Sequence, residues 1–243
     1  SLEGKMDNAP YATLTRQSGL LREMQTMANN IANASTTGFR AENVMFSEYV
    51  TSLGPDDASL SMANATVRNT LLQQGGLTQT GGTFDLAIEG EGFFLVATPE
   101  GERLTRAGAF SPNENGDLVT MDGHTVLDAG GAPVYVPPGV GRIGISADGT
   151  VSAGGQPIGQ VGLFLPVDPT QLVREGGVMF NAQDGFEPVA DGRVLQGFLE
   201  ESNVDPILEI SRLIEVQRAY ELGQSFMDKV DERIRGVIEA IRR

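Results

Sequence analysis

From Pro206 to Arg243 the chain runs without a further proline, and its apolar residues recur at alternating steps of three and four. The positions in this rhythm are Ile210, Leu213, Gln217, Tyr220, Gln224, Met227, Asp231, Ile234, Ile238 and Ile241. Such spacing keeps one stripe of a helix facing a partner along its whole length, as in a coiled-coil seam. A second stripe, Ile207, Ile214, Val230 and Val237, lies beside it. Near the start, Leu14, Gln17, Leu21, Met24, Ala28 and Ile31 repeat the pattern on a shorter scale. Helices of this kind draw most of their stability from burying the apolar face, so neither is stable alone in water. Each is therefore expected to bury its stripe against other helices, and two end helices of a chain that leaves and returns through one intervening domain naturally run antiparallel.

Local signals predict where these helices begin and end. Asn8 suits an N-cap, and Pro10 fits a first turn, where no intrahelical donor is needed. The first helix is expected to run to about Asn33 and to end in Ala34–Phe39, with Gly38 free to take a left-handed conformation. Asn29, Asn30 and Asn33 are poor helix-interior residues. They fit either a fraying end or amides that bond to a neighbouring chain. The second helix has Asp205 as N-cap and Pro206 at its first position. Glu209 in its first turn and Arg233, Arg235, Arg242 and Arg243 in its last turns suit the helix dipole. Its length is then roughly 55 Å.

Between the helices the pattern changes. Short apolar runs such as Phe93–Val96, Val134–Val136, Val161–Leu165 and Val194–Leu195 alternate with turn dipeptides. These are Asn115-Gly116, Asp122-Gly123, Gly130-Gly131, Asp148-Gly149, Gly154-Gly155, Asp184-Gly185 and Asp191-Gly192. They favour the tight turns that close hairpins, and many short strands at close spacing imply an antiparallel all-β domain. The expected class is α+β and multi-domain, with paired terminal α-helices around a central antiparallel all-β domain. The expected segments are a helical segment over 6–40, a connector over 41–75, a β-rich domain over 76–201 and the long helix over 202–243. Within the connector, Phe46, Tyr49, Val50 and Leu53 suggest something short and packed, Pro55-Asp56-Asp57 a loop, and Thr66–Leu72 an extended strand. Ser1–Lys5 reads as a cloning remnant ahead of a native start at Met6.

Composition narrows the function classes. Asp and Glu number 32 against 17 Lys and Arg, a net charge of −15. That opposes binding to nucleic acid or to an anionic membrane surface. Without cysteine there is no disulfide, thiolate zinc site or thiol nucleophile. No apolar run approaches the roughly 20 residues of a membrane span, and the start lacks the pattern of a cleaved signal. The single histidine, His124, sits beside the Asp122-Gly123 turn and reads as a surface-turn residue. Gly139-Val140-Gly141-Arg142-Ile143-Gly144 fits GxGxxG, but a dinucleotide site needs a strand before it and a helix after it, whereas here two prolines precede and a strand and turn follow. Asn113–Asp117 reads as a hairpin turn, lacking the downstream spacing of a calcium loop. No catalytic, cofactor-binding or metal-ligating set is expected.

Three separated motifs carry a resemblance. Asn29-Asn30-Ile31-Ala32-Asn33 followed by Thr37-Gly38-Phe39-Arg40 resembles the N-terminal signature of the bacterial flagellar rod and hook family of axial proteins. Glu201-Ser202-Asn203-Val204-Asp205, with Gln217-Arg218-Ala219-Tyr220, resembles that family's C-terminal signature. Asp85–Phe94, Thr105–Phe110 and Gly116–Gly123 are similar to its middle region. Met6-Asp7-Asn8, Tyr11, Arg16–Leu20 and Arg22–Met24 are closest to a proximal-rod member, and the near alternative is a distal-rod member. A secreted β-domain binding module on helical stalks is the reading from a different class. The resemblance implies a structural rod subunit without enzymatic activity, serving motility. It also implies export by the flagellar type III apparatus without a cleaved signal, and assembly with other rod subunits in the periplasm. The residues expected to form the assembly seam are Leu14, Leu21, Met24, Ala28, Ile31, Ile210, Leu213, Tyr220, Met227, Ile234, Ile238 and Ile241.

Overall fold

The computed structural model describes residues 2–51 and 60–242, with side chains described over 11–44 and 68–242. The chain forms two compact units. One consists of Ser1–Ala32, Glu42–Asn69 and Asp205–Arg243, and the other of Asn33–Ala41 and Thr70–Val204.

The first unit is helical. Helix α1 (Leu2–Ala32) and helix α2 (Pro206–Ile241) accompany a two-stranded sheet of β1 (Glu42–Thr51) and β2 (Leu60–Thr70). The helix α1 takes in Asn8 and Pro10 instead of starting there. A proline removes a single intrahelical hydrogen bond, so the ladder continues on either side of it. The opening of α2 follows its local signals. Asp205 caps the helix, its side chain accepting from the backbone N–H of Ile207 and Leu208, and Pro206 follows. The stretch 41–75, expected as a connector, instead supplies β1 and β2 to the helical unit, while Asn33–Ala41 joins the β-rich one. Propensity at Phe46, Tyr49 and Val50 does not distinguish a packed turn from a strand, and their side chains, with Leu53 and Pro55–Asp57, lie outside the described residues.

The second unit is built of antiparallel strands, with one short 3-10 helix at Pro169–Gln171 among the described residues. Its main sheet has nine strands. In order they are Leu172–Glu175, Met179–Ala182, Gly101–Thr105, Phe93–Thr98, Thr125–Leu127, Leu118–Thr120 and Phe110–Pro112, with Leu163–Pro166 pairing Phe93–Thr98 on one side and Phe186–Pro188 on the other. A smaller sheet runs Ile143–Ile145, Thr150–Ala153, Gln156–Gln160. Two strand pairs complete the unit: Arg193–Gln196 with Leu86–Glu89, and Phe198–Glu200 with Leu77–Gln79. The core includes Leu86, Ile88, Phe94, Val96, Leu118, Val126, Val151 and Val194, with a second cluster around Leu95, Leu104, Phe164 and Phe180.

The turn dipeptides mostly sit where hairpins need them, and all their second glycines except Gly192 carry positive φ. A Cβ at Gly192 would lie 2.5 Å from Leu163 Cδ1, so close packing explains that residue. Val134–Val136 forms no strand, only an isolated bridge from Asp117 to Tyr135, with a second from Leu127 to Pro133 just before it. Prolines on both sides withhold ladder donors and stop a strand from propagating. Ile143–Ile145 is a strand that contains Gly144 and continues into a turn, so the GxGxxG segment lacks the helix a phosphate cradle requires. His124 closes the turn between Leu118–Thr120 and Thr125–Leu127, its backbone N–H donating to Thr120 Oγ1. Asn113 Oδ1 accepts from the backbone of Asn115 and Asp117, which makes that segment a side-chain-braced turn.

Candidate assembly site

In the helical unit, polar contacts fix how the two helices meet. Gln17 Nε2 donates to the Tyr220 carbonyl at 2.8 Å, and Asn30 Nδ2 donates to Glu209 Oε2 at 3.3 Å. Ascending α1 therefore descends α2, and the pair is antiparallel. Asn30 also donates to the Glu42 carbonyl and accepts from the Glu42 N–H, tying α1 to the start of β1. Gln17, Asn30 and Glu209 are all buried. A buried amide or carboxylate is tolerated when its hydrogen bonds are made, and once made they fix the rotation of each helix about its axis.

That rotation decides which predicted seam residues face inward. On α2 the least exposed positions are Glu209, Leu213, Val216, Ala219, Tyr220, Gly223, Met227 and Val230, and all but Ala219 keep a three-four rhythm. The row Leu213, Tyr220, Met227 coincides with the predicted one. The other row is 209, 216, 223, 230, one residue before the predicted Ile210, Gln217, Gln224, Asp231. Gly223 shows why: a Cβ there would lie 2.5 Å from Gln17 Oε1, so the helices approach closely where the side chain is missing. On α1, Gln17, Thr26, Met27 and Asn30 are buried, and Met24 and Ile31 half-buried. Leu14, Leu21 and Ala28, spaced seven apart, are exposed. So are Ile210, Ile234, Ile238 and Ile241. Counting apolar residues alone misplaces the inner face, because four of its buried residues, Gln17, Thr26, Asn30 and Glu209, are polar.

A small cavity in this unit is lined by Glu23, Thr26, Met27, Glu42, Glu209 and Arg212, among others. Burial raises the pKa of Glu23, while the charge of Arg212 pulls it down.

In the β unit, the signature residues gather around one carboxylate. Glu200 is fully buried. Its Oε1 accepts from Arg40 Nη1 and from the Gly75 N–H, and its Oε2 accepts from Arg106 Nε at 2.7 Å. Arg106 also donates to the carbonyls of Gly90, Gly92 and Ile88. Burial lowers the pKa of both arginines, and Glu200 opposes that shift. Asn203 is a second hub: its Oδ1 accepts from the Ala41 N–H, and its Nδ2 donates to the carbonyls of Leu71 and Gln73. Phe39 is fully buried, packed with Ala41 and Val204 and covered by the Arg174 guanidinium 4.4 Å from its ring centre. Gly38 has φ +69°, and its N–H donates to the Glu200 carbonyl.

The remaining signature residues divide by role. Asn33 Oδ1 accepts from Thr36 Oγ1, and Ser202 Oγ accepts from the Val204 N–H, so both brace their own turns. Thr37 is half-buried, and Gln217 and Arg218 are exposed, Gln217 donating to Glu221 one turn on. The amide of Asn30 bonds within its own chain, which answers the choice between fraying and an external partner for that residue. Glu200 and Arg106 were missed as a pair. Arg106 lies in the Thr105–Phe110 motif, but an ion pair across 94 residues leaves no local signal.

Comparison with known proteins agrees with these three regions. Residues 11–40 match the family described as flagella basal body rod protein, and residues 195–239 match the C-terminal family of flagellar basal body rod FlgEFG proteins. Residues 87–153 match the D1 domain of flagellar hook protein FlgE/F/G. The flagellar basal-body rod protein FlgF of Caulobacter vibrioides is 42% identical, covering 97% of this chain and 98% of the relative. That of Mesorhizobium japonicum is 42% identical over 91% of this chain and 92% of the relative. The flagellar basal-body rod protein FlgG of Bacillus subtilis is 31% identical over 96% and 98%. With its terminal helix pair, its β-rich middle and its signature residues in these positions, the chain belongs to the family of flagellar basal-body rod and hook proteins.

Proposed function

We propose that this chain is a structural subunit of the proximal flagellar rod, serving motility, and that it assembles with other rod subunits through the outward apolar rows of its terminal helices. The observation that carries this reading is the exposure of Leu14 and Leu21 on α1 and of Ile207, Ile210, Ile214, Ile234, Ile238 and Ile241 on α2. Large apolar side chains left on water-facing helices, here grouped toward each end of α2, mark an interaction surface. Head-to-tail contacts between two different patches, repeated without closing into a ring, generate open helical arrays, which is the symmetry a rod requires. The FlgF relatives share more of this sequence than the FlgG relative does, which favours the proximal over the distal position. Export through the flagellar type III apparatus without a cleaved signal, to a periplasmic position, is part of the same reading. A cysteine-free chain suits it, having no disulfide to form or misform on the way.

Ile234→Asp tests the reading. Ile234 is 49% exposed, so the carboxylate stays hydrated in the isolated subunit and the fold is kept. In an assembled rod the same carboxylate is buried without a partner, which is costly. Expressed in a deletion strain, the variant should be made and exported, yet should give shortened rods in isolated basal bodies and no spreading in soft agar. His124→Ala, at a turn with no assigned chemistry, should swim normally. Normal motility of Ile234→Asp, or lost motility of His124→Ala at normal protein level, refutes the placement of function on the helices.

A further inference from the structure

We propose that the β unit holds a binding pocket for a carboxylate carried on a short aliphatic stem, with Arg40 as its cationic base. The inference stands on the β unit alone and does not depend on the rod reading.

The starting point is a charge imbalance. Arg40, Arg106 and Glu200 have side chains 2%, 1% and 0% exposed, so two guanidiniums share one carboxylate away from water. Arg106 is well satisfied, with Nε on Glu200, Nη1 on two carbonyls and Nη2 on a third. Arg40 is not: it donates through Nη1 to Glu200, and its buried Nε has no hydrogen-bond partner. Burial pulls the Arg40 pKa down, and the neighbouring charge of Arg106 adds to that pull against Glu200. A second anion against the part of the Arg40 guanidinium that lines the cavity would offset this surplus of positive charge, although Nε itself is closed off from the cavity.

A cavity of about 350 Å³ lies at this point, lined by both arginines and by Leu72, Phe93, Leu165 and Pro166. That is far more than the roughly 10–15 Å³ by which a single water is accommodated. The two kinds of wall select the ligand. A guanidinium fork matches a carboxylate in plane and spacing. Phosphate or sulfate would leave the apolar walls against polar oxygens, whereas a methylene stem covers them while its carboxylate reaches Arg40. Glu91 also lines the rim, but it is exposed and forms no ion pair with either arginine among the described residues. Two sources supply such a group: an acidic side chain of an adjoining subunit, abundant in a chain with 32 Asp and Glu, or a free small acid.

Glutarate is the probe, and glutaramide, its uncharged isostere, is the control. In calorimetry of the full chain, glutarate at ten times its dissociation constant should raise the β-unit transition by about 3–6 °C, and glutaramide should leave it unchanged. Amide NMR shifts should saturate at Gly90–Phe93. Leu72, 42% exposed at the mouth, offers a variant that does not threaten the core. Leu72→Glu supplies its own carboxylate, so it should melt higher without ligand and lose the glutarate response. The proposal is overturned if wild type shows no saturable response to glutarate, in which case the cavity holds water only. An equal response in Leu72→Glu or with glutaramide overturns it as well. Swimming then separates the sources: Leu72→Glu abolishes it at normal protein level if an adjoining subunit's acid fills the pocket, and leaves it intact if a free acid does.

Discussion

Replacing Glu200 by alanine should destabilise the β unit more than any other removal of a single charge from it. The carboxylate collects three donors, from Arg40, Arg106 and the Gly75 backbone, with no exposure to water. Without it, two guanidiniums remain buried beside each other, and Arg40 keeps no anionic partner. Removing one member of a buried, hydrogen-bonded ion pair costs about 3–5 kcal/mol, because the charge left behind has neither water nor counter-ion. At about 2–4 °C per kcal/mol for a unit of this size, the transition should fall by roughly 6–20 °C. Differential scanning calorimetry of the full chain at neutral pH reads this directly, and hydrogen exchange at Leu86–Glu89 and Phe198–Glu200 locates it. Glu200→Gln keeps the shape and one acceptor oxygen but turns an amide donor toward a guanidinium, so it should fall between. Glu175→Ala is the comparison, since Glu175 accepts from Arg103 Nε at 2.5 Å but is 39% exposed. Water can solvate what that change leaves behind, and the loss should be much smaller. A Glu200→Ala protein within about 1 kcal/mol of wild type, or a Glu175→Ala protein equally damaged, would refute the view that burial makes the first pair matter.

Gly38→Ala forces a side chain into the left-handed region at φ +69° and sets its Cβ 2.4 Å from the Ala107 nitrogen. Backbone cannot move aside as a flexible side chain does, so denaturant unfolding of the β unit should show a loss of about 2–5 kcal/mol. Glu23 has its pKa raised by burial, which exceeds the opposing charge of Arg212. A carboxyl bound more tightly to its proton in the folded state stabilises the fold below its unfolded pKa, and loses that contribution as pH rises through the folded pKa. The helical signal of the wild type should therefore melt at progressively lower temperature from about pH 4.5 upward. Glu23→Gln should remove that slope and melt higher at neutral pH, and a steeper slope in the variant would count against it. Glu42, Glu209 and Arg212 line the same cavity and are left unchanged in this comparison.

What could be read in the sequence was what depends on neighbours in sequence. Asp205-Pro206 marks a helix start because the cap and the missing donor act within one turn. The glycine dipeptides mark hairpins because positive φ is a local demand. The class of fold followed from the change of period between ends and middle. The phase of the helix seam did not follow, because Gln17, Asn30 and Glu209 set it, and a polar residue reveals an inward position only through a partner far away in sequence. Gly223 offered a local clue, an unbulky residue in the middle of a long helix. The Arg40–Glu200–Arg106 cluster was hidden for the same reason. Each of its members reads alone as a solvated surface charge, and only the fold places them together.

The contacts that close each unit also set a timetable. Gln17 reaches across 203 residues to Tyr220, Asn30 across 179 to Glu209, and Arg40 across 160 to Glu200. The hairpins of the middle need only adjacent chain and form early, whereas closing such long loops is slow and unrewarded until both ends are present. A chain delivered one end first, from a ribosome or through a channel, therefore carries α1 without its helical partner for almost its entire passage. Only when the segment after Phe198 arrives do Glu200, Asn203 and Glu209 become available. The last part of the chain to appear is then the part that switches the first from a flexible tail into a helix with a partner.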